Sequence, residues 1–232
     1  TSAMGFNRLA DHAIDSKNPR TADRSLPAGR LSRRYAWVVT VGAAVVFILA
    51  AAMLNPVCLV LAIPTLAVLL GYSYAKRFTT AAHLWLGFAL GIAPIGAWIA
   101  VTGIIDTPAV VLGAAVMFWV AGFDTIYSLQ DESFDRSHGL QSLPARFGPR
   151  GALVIARLLH VFALIGFAAF AVAAGGGWIR MAAVAAAALL MLWQHRLVRA
   201  DDLSAVDAAF FTANGALSVL MCFLFIVAKL IG

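Results

Sequence analysis

The sequence predicts an all-α, polytopic membrane helix bundle, with seven complete transmembrane helices and the end of an eighth. Three observations point there. Of the 232 residues, 62% are hydrophobic and only 12% are charged, whereas soluble domains carry about 25% charged residues. The apolar residues fall into seven runs, at 35–54, 57–74, 84–105, 108–127, 151–174, 178–195 and 208–231. Each is close to the roughly 20 residues that cross a hydrocarbon core. Lipid cannot satisfy an open strand edge, so runs of this length fold as helices. The chain, 1–232, reads as a single transmembrane domain without a linker or a low-complexity segment.

Residues 1–13 form the tail of a spanning helix, and Asn7, Asp11 and Asp15 lie at its end. At 100° per residue, side chains four apart drift by about 40°, so these three share a helix face. The polar stretch 14–34 follows. Runs 35–54 and 57–74 come next, and the second ends in Tyr72-Ser73-Tyr74-Ala75-Lys76-Arg77, a polar element on the same side of the membrane. Runs 84–105 and 108–127 lead to a second acid stripe, in which Asp124, Tyr127, Asp131 and Asp135 share one face. After the polar stretch 131–150 come the last three runs. Asp201, Asp202 and Asp207 lie between the final two, beside Arg199, as a solvated face. The pairs Asp11/Asp15 and Asp131/Asp135 are offset by 120 residues, and Ser-Leu-Pro-Ala recurs at Ser25–Ala28 and Ser142–Ala145. This suggests an internal duplication around a shared polar cavity.

Charge sets the orientation. Thirteen of the seventeen basic residues lie in segments 14–34, 75–83, 128–150 and 196–207, while the opposite loops hold only Arg180, with Lys229 near the carboxyl end. The positive-inside rule makes the first set cytoplasmic, so both acid stripes face the cytoplasm of a multi-pass protein, expected in a bacterial cell membrane. A net charge of +6 does not imply nucleic acid here. The basic residues sit in short loops between spans, which suits anionic lipid or a phosphate-bearing substrate. Cys58 and Cys222 both lie in apolar runs and read as small hydrophobes, with no disulfide or metal-binding spacing.

Stacked carboxylates repel one another, and each costs a few kcal/mol at membrane depth. Two facing acid stripes therefore call for a cation. Asn and Asp oxygens suit Mg²⁺, which is usually held by one or two carboxylates plus substrate phosphates; no His or Cys pair offers a zinc site. Two such stripes can hold Mg²⁺ on one diphosphate while Lys and Arg neutralise the remaining phosphate oxygens. An apolar tail fits the lipid side. If that tail is allylic, loss of the diphosphate leaves a cation that an electron-rich aromatic acceptor captures. A transporter is the rival reading, but its acids belong near the midplane rather than at helix ends. A phospholipid head-group transferase needs glycines between its aspartates, and neither stripe has one.

These motifs resemble those of the UbiA superfamily of intramembrane aromatic prenyltransferases. Asn7-x-x-x-Asp11-x-x-x-Asp15 is similar to the family's first motif, and Asp124-x-x-Tyr127-x-x-x-Asp131-x-x-x-Asp135 to its second. Arg20 to Gly29 resembles the loop after the first motif in the 4-hydroxybenzoate branch, and Tyr72 to Arg77 its aromatic-Lys-Arg turn. The resemblance implies polyprenyl transfer from a polyprenyl diphosphate to an aromatic acid in quinone biosynthesis. Asp124 to Gly148 is equally similar to the menaquinone enzyme of the futalosine route, which prenylates a dihydroxynaphthoate. By the same resemblance, Asn7, Asp11 and Asp15 serve one Mg²⁺ and Asp131 and Asp135 the other. Lys76, Arg20, Arg24 and Arg77 contact diphosphate, with interfacial anchoring as the alternative for Arg77. Tyr127 lines the reaction centre, and Asp124 either assists acceptor deprotonation or makes a structural hydrogen bond. The family has nine helices, so its first helix and most of its second are expected to precede Thr1. His12 is expected to pack between helices, and His83, His138, His160 and His195 are assigned no chemistry. Arg157 either snorkels to the polar face or reaches the site. The six Trp are read as interfacial or lipid-facing.

Overall fold

A computed structural model describes residues 1–231, and every regular element in them is helical. Two short helices, α1 (Ser2–Ala10) and α2 (His12–Asp15), precede α3 (Arg33–Leu54), α4 (Pro56–Ala75), α5 (Ala82–Thr102) and α6 (Thr107–Tyr127). A 3₁₀ turn (Ser128–Asp131) and α7 (Glu132–Ser137) continue from α6. The chain then forms α8 (Leu143–Ala173), α9 (Trp178–Leu197), a π-helical stretch (Ala208–Ala213) and α10 (Asn214–Ile231). Among the described residues, seven helical stretches are long and apolar enough to span a membrane, matching the seven runs.

Helix ends fall where the sequence supplies caps. Ser32 Oγ accepts from Tyr35 N–H at 3.1 Å to start α3, and Asn55 Oδ1 accepts from Cys58 N–H at 2.9 Å to start α4. Asn55 Nδ2 also donates to the Ile99 carbonyl at 2.9 Å, which ties α4 to the far end of α5. Gly103, at φ 76°, ends α5 in the left-handed conformation. The first notable departure from the apolar pattern is α8, which begins at Leu143 rather than near 151. Ser142 caps it and Pro144 occupies its first turn, so a polar segment starts the helix. Gly148 (φ 70°, ψ 169°) then kinks it where the apolar run begins. The two Ser-Leu-Pro-Ala copies therefore differ in role. The second caps a helix, whereas the first lies in a turn ahead of the Ser32 cap.

Helix α6 packs between α5 and α8. On α5, Gly87 and Gly91 lie so close to α6 that a methyl group on either would meet the carbonyl oxygen of Met117 or Gly113, a small-residue contact common between membrane helices. Ile126, Leu129, Leu153, Val198 and Val206 form a core that fixes the ends of α6, α8 and α9 beside the acid stripes. Val46, Met53, Val60, Ile63, Phe162 and Leu189 point outward, as helices bathed in lipid require.

Candidate active site

The first acid stripe survives a break in its helix. α1 ends at Ala10, and Asp11 (φ −95°, ψ 6°) turns the chain into α2. Asp11 N–H still donates to the Asn7 carbonyl at 2.9 Å and Asp15 N–H to that of Asp11 at 2.7 Å, so the i, i+4 stacking persists. Asn7 Nδ2 donates to Asp11 Oδ2 at 2.9 Å. The second stripe is also interrupted. After Tyr127 the chain tightens into the 3₁₀ turn, whose last residue is Asp131, and α7 carries Asp135. Asp15, Asp131 and Asp135 are all buried.

Basic side chains knit the two stripes together. Arg20, on the loop after the first stripe, donates from Nε to Asp131 Oδ1 at 2.8 Å and from Nη2 to Asp131 Oδ2, and reaches Tyr127 Oη at 3.3 Å. Burial alone would lower the Arg20 pKa, but the two hydrogen bonds to Asp131 and its charge outweigh this and raise it above the usual guanidinium value. Arg24 Nη1 donates to both Asp15 oxygens at 3.0 Å. From the end of α4, Lys76 Nζ donates to Asp135 Oδ2 at 3.1 Å, and Arg77 Nη2 to Asp11 Oδ1 at 3.0 Å. All eleven side chains singled out in the sequence, Asn7, Asp11, Asp15, Arg20, Arg24, Lys76, Arg77, Asp124, Tyr127, Asp131 and Asp135, line one cavity of about 190 Å³.

The acids that the sequence analysis matched with a cation each have a basic side-chain partner: Asp11, Asp15, Asp131 and Asp135 each hold a Lys or Arg. Among the described residues, no three His, Cys, Asp or Glu side chains converge as a ready cation cage. The donors facing the cavity from the motif positions are nonetheless all oxygens, the chemistry that suits Mg²⁺. Arg77 is no mere anchor: besides Asp11 it lies over the Tyr74 ring, 4.8 Å from its centroid.

Several contributors were not legible in the sequence. Asn18 Nδ2 donates to Asp131 Oδ1 at 2.9 Å, and buried Thr21 donates to the Asp15 carbonyl at 3.0 Å. Arg8 lies 3.7 Å from Asp15. Phe210, from the π-helical stretch, packs on Tyr127 with ring centroids 4.1 Å apart. His83, assigned no chemistry from the sequence, is fully buried with Nδ1 2.7 Å from Asp124 Oδ2. Leu143 N–H donates to its Nε2 at 3.3 Å, which makes Nδ1 the protonated nitrogen and the donor to Asp124. His160 and His195, also assigned no chemistry, meet between α8 and α9, with His160 Nδ1 2.9 Å from His195 Nε2. Arg157 does not line the acid cavity.

Comparison with known proteins bears on this site. Residues 1–223 match the UbiA prenyltransferase family. The chain is 29% identical over 209 residues to a 4-hydroxybenzoate octaprenyltransferase of Methylobacillus flagellatus, covering 90% of this chain and 70% of that one. It is 37% identical over 154 residues to a 4-hydroxybenzoate solanesyltransferase of Synechocystis, covering 64% and 51%. Its fold is similar to the apo structure of a UbiA homolog from Aeropyrum pernix K1, with a TM-score of 0.89 and 37% identity over 98% of this chain and 84% of that one.

Proposed function

Since the chain belongs to the UbiA prenyltransferase family, we propose that it transfers a polyprenyl group from polyprenyl diphosphate to a 4-hydroxybenzoate-like aromatic acid in quinone biosynthesis, with Mg²⁺ and with the site facing the cytoplasm. The observation that carries this reading is the pairing of every motif acid with a base around one cavity. Five carboxylates and four cationic side chains line it. A diphosphate therefore meets a wall without spare positive charge and needs divalent cations of its own. Asn7, Asp11, Asp15, Asp131 and Asp135 would hold Mg²⁺, which supplies charge stabilisation to the leaving diphosphate.

The chain's own residues do the rest. Lys76, Arg77, Arg20 and Arg24, which line the same cavity, would donate to phosphate oxygens. As the allylic C–O bond opens, the diphosphate keeps the electron pair and the prenyl carbon becomes cationic. Tyr127, held by the tilted Phe210 ring, lines the cavity beside that centre, and its electron-rich ring favours a cation. The acceptor ring carbon attacks, and the proton it loses goes to Asp124, whose Oδ1 is free while His83 holds Oδ2. A transporter is not favoured, since the acids sit at helix ends and the relatives carry transferase names.

The test is product formation by the full chain in membranes with Mg²⁺, a polyprenyl diphosphate and labelled 4-hydroxybenzoate or a dihydroxynaphthoate. Prenylated hydroxybenzoate supports the proposal. Product from the naphthoate alone would reassign the acceptor, and no product from any phenolic acid would overturn the reading.

A further inference from the structure

We infer that the face carrying the acid cavity has a second anion site, for the phosphate headgroup of an anionic phospholipid, where Arg150 and Arg157 of α8 meet Arg196 and Arg199 at the end of α9. These arginines line a pocket of about 540 Å³ that shares no lining residue with the acid cavity. Its charge balance is the reverse of the cavity's. Four guanidinium groups face a single carboxylate, Asp201, which is 3.8 Å from Arg199 Nε with both side chains largely exposed. A pair so solvated offsets little of the mutual repulsion.

The general excess of basic residues on one membrane face explains Arg196 and Arg199 but not Arg157. That residue lies two turns beyond Arg150, past the Gly148 kink and inside the apolar part of α8. A cation at such a depth with no carboxylate partner is costly unless an anion comes to it. Residues 150, 154, 157, 158 and 161 share one face of α8, as 189, 192 and 196 share one face of α9. Along both faces the arginines give way to outward-pointing apolar side chains, Val154, Leu158 and Val161 on α8 and Leu189 and Leu192 on α9. Guanidinium forks match phosphate oxygens in pairs, and apolar stripes leading away from them suit acyl chains. Basic pockets between helices at the membrane surface take lipid headgroups in this way. A free phosphate would use the arginines and leave the stripes without a role.

The full chain, purified in neutral detergent, can be titrated with phosphatidylglycerol, phosphatidylcholine or inorganic phosphate, with bound lipid counted by native mass spectrometry. We expect one tightly held phosphatidylglycerol. The double variant Arg157→Gln/Arg196→Gln should weaken it roughly 30-fold, the effect of two surface cations on an anionic lipid. Arg33→Gln/Arg34→Gln removes equal charge from exposed residues of α3 outside the pocket and should change binding less than about threefold. If the first double variant does not survive purification, Arg199→Gln in the exposed turn should cost about fivefold in the same titration. Equal losses in the two double variants, or no preference over phosphatidylcholine, would overturn the site. Displacement of the lipid by millimolar inorganic phosphate would overturn the lipid assignment in favour of a free phosphate ligand.

Discussion

Arg20 and Asp131, 111 residues apart, form a two-pronged guanidinium–carboxylate contact that closes the loop after the first acid stripe over the second. Asn18 reaches the same carboxylate, so the loop is held to the second stripe at two points. Because both Asp131 and the loop's Asn18 are buried, this link shapes the cavity and holds the loop against it.

Arg20→Lys keeps the charge but loses the fork. It should raise the apparent KM for the polyprenyl diphosphate about tenfold or more, and increase proteolytic cutting between residues 16 and 32. Truncating one partner of a buried charge pair typically costs about 2–5 kcal/mol, so Arg20→Ala should be worse on both readouts. Unchanged cutting and KM in Arg20→Lys would show that the contact neither closes the loop nor serves the donor.

Asp11→Asn and Asp131→Asn should each lower turnover by a factor of about 10² or more, and excess chelator should abolish it in the native chain. In the absence of substrate both variants should remain folded. Each substitution removes a charge whose partner, Arg77 or Arg20, is partly exposed and can turn to solvent. Helical content and elution volume report the fold; normal turnover in either variant, or in chelator, contradicts the metal assignment.

Lys76 contacts Asp135 as a point charge, and its carbonyl accepts from Gln141 N–H at 2.6 Å. The backbone contact survives substitution, so Lys76→Ala should leave the α4 end in place. The expected result is a rise in donor KM of about tenfold with acceptor KM within about twofold. Equal rises for both substrates would mean the side chain organises the cavity instead of meeting phosphate.

The spans and the two acid stripes were legible because both are periodic: lipid imposes length, and a shared face imposes the i, i+4 spacing. Where periodicity stops, the sequence stopped informing. The break at Asp11 and the 3₁₀ turn at 128–131 interrupt runs that look continuous, since the choice is made by loops that fold back on each stripe. The early start of α8 depends on Ser142 and Pro144, whose capping role is hidden in a polar stretch. The pairing of acids with bases was hidden for a related reason: that Arg77 reaches Asp11 across 66 residues is a fact of how α1 packs on α4, and no local pattern encodes it.

His83 was invisible in the same way, because its partner lies 41 residues on and the pair exists only in the register of α5 against α6. Its position makes a sharp prediction. Nδ1–H donates to Asp124 Oδ2, and Leu143 N–H holds the other ring nitrogen, so the imidazole fixes the direction of the Asp124 carboxyl group. His83 does not itself line the cavity and reaches it only through Asp124, so it is a positioning residue. His83→Gln should lower kcat by about 10–100-fold with donor KM within about threefold, as expected for a group that acts only as the proton leaves. Asp124→Asn should match it, and the double variant should be no worse than Asp124→Asn alone, because the histidine then has nothing to position. Losses that multiply in the double variant would mean that His83 acts independently of Asp124, and a fall in melting temperature without a fall in kcat would reduce the pair to a structural clamp between α5, α6 and α8.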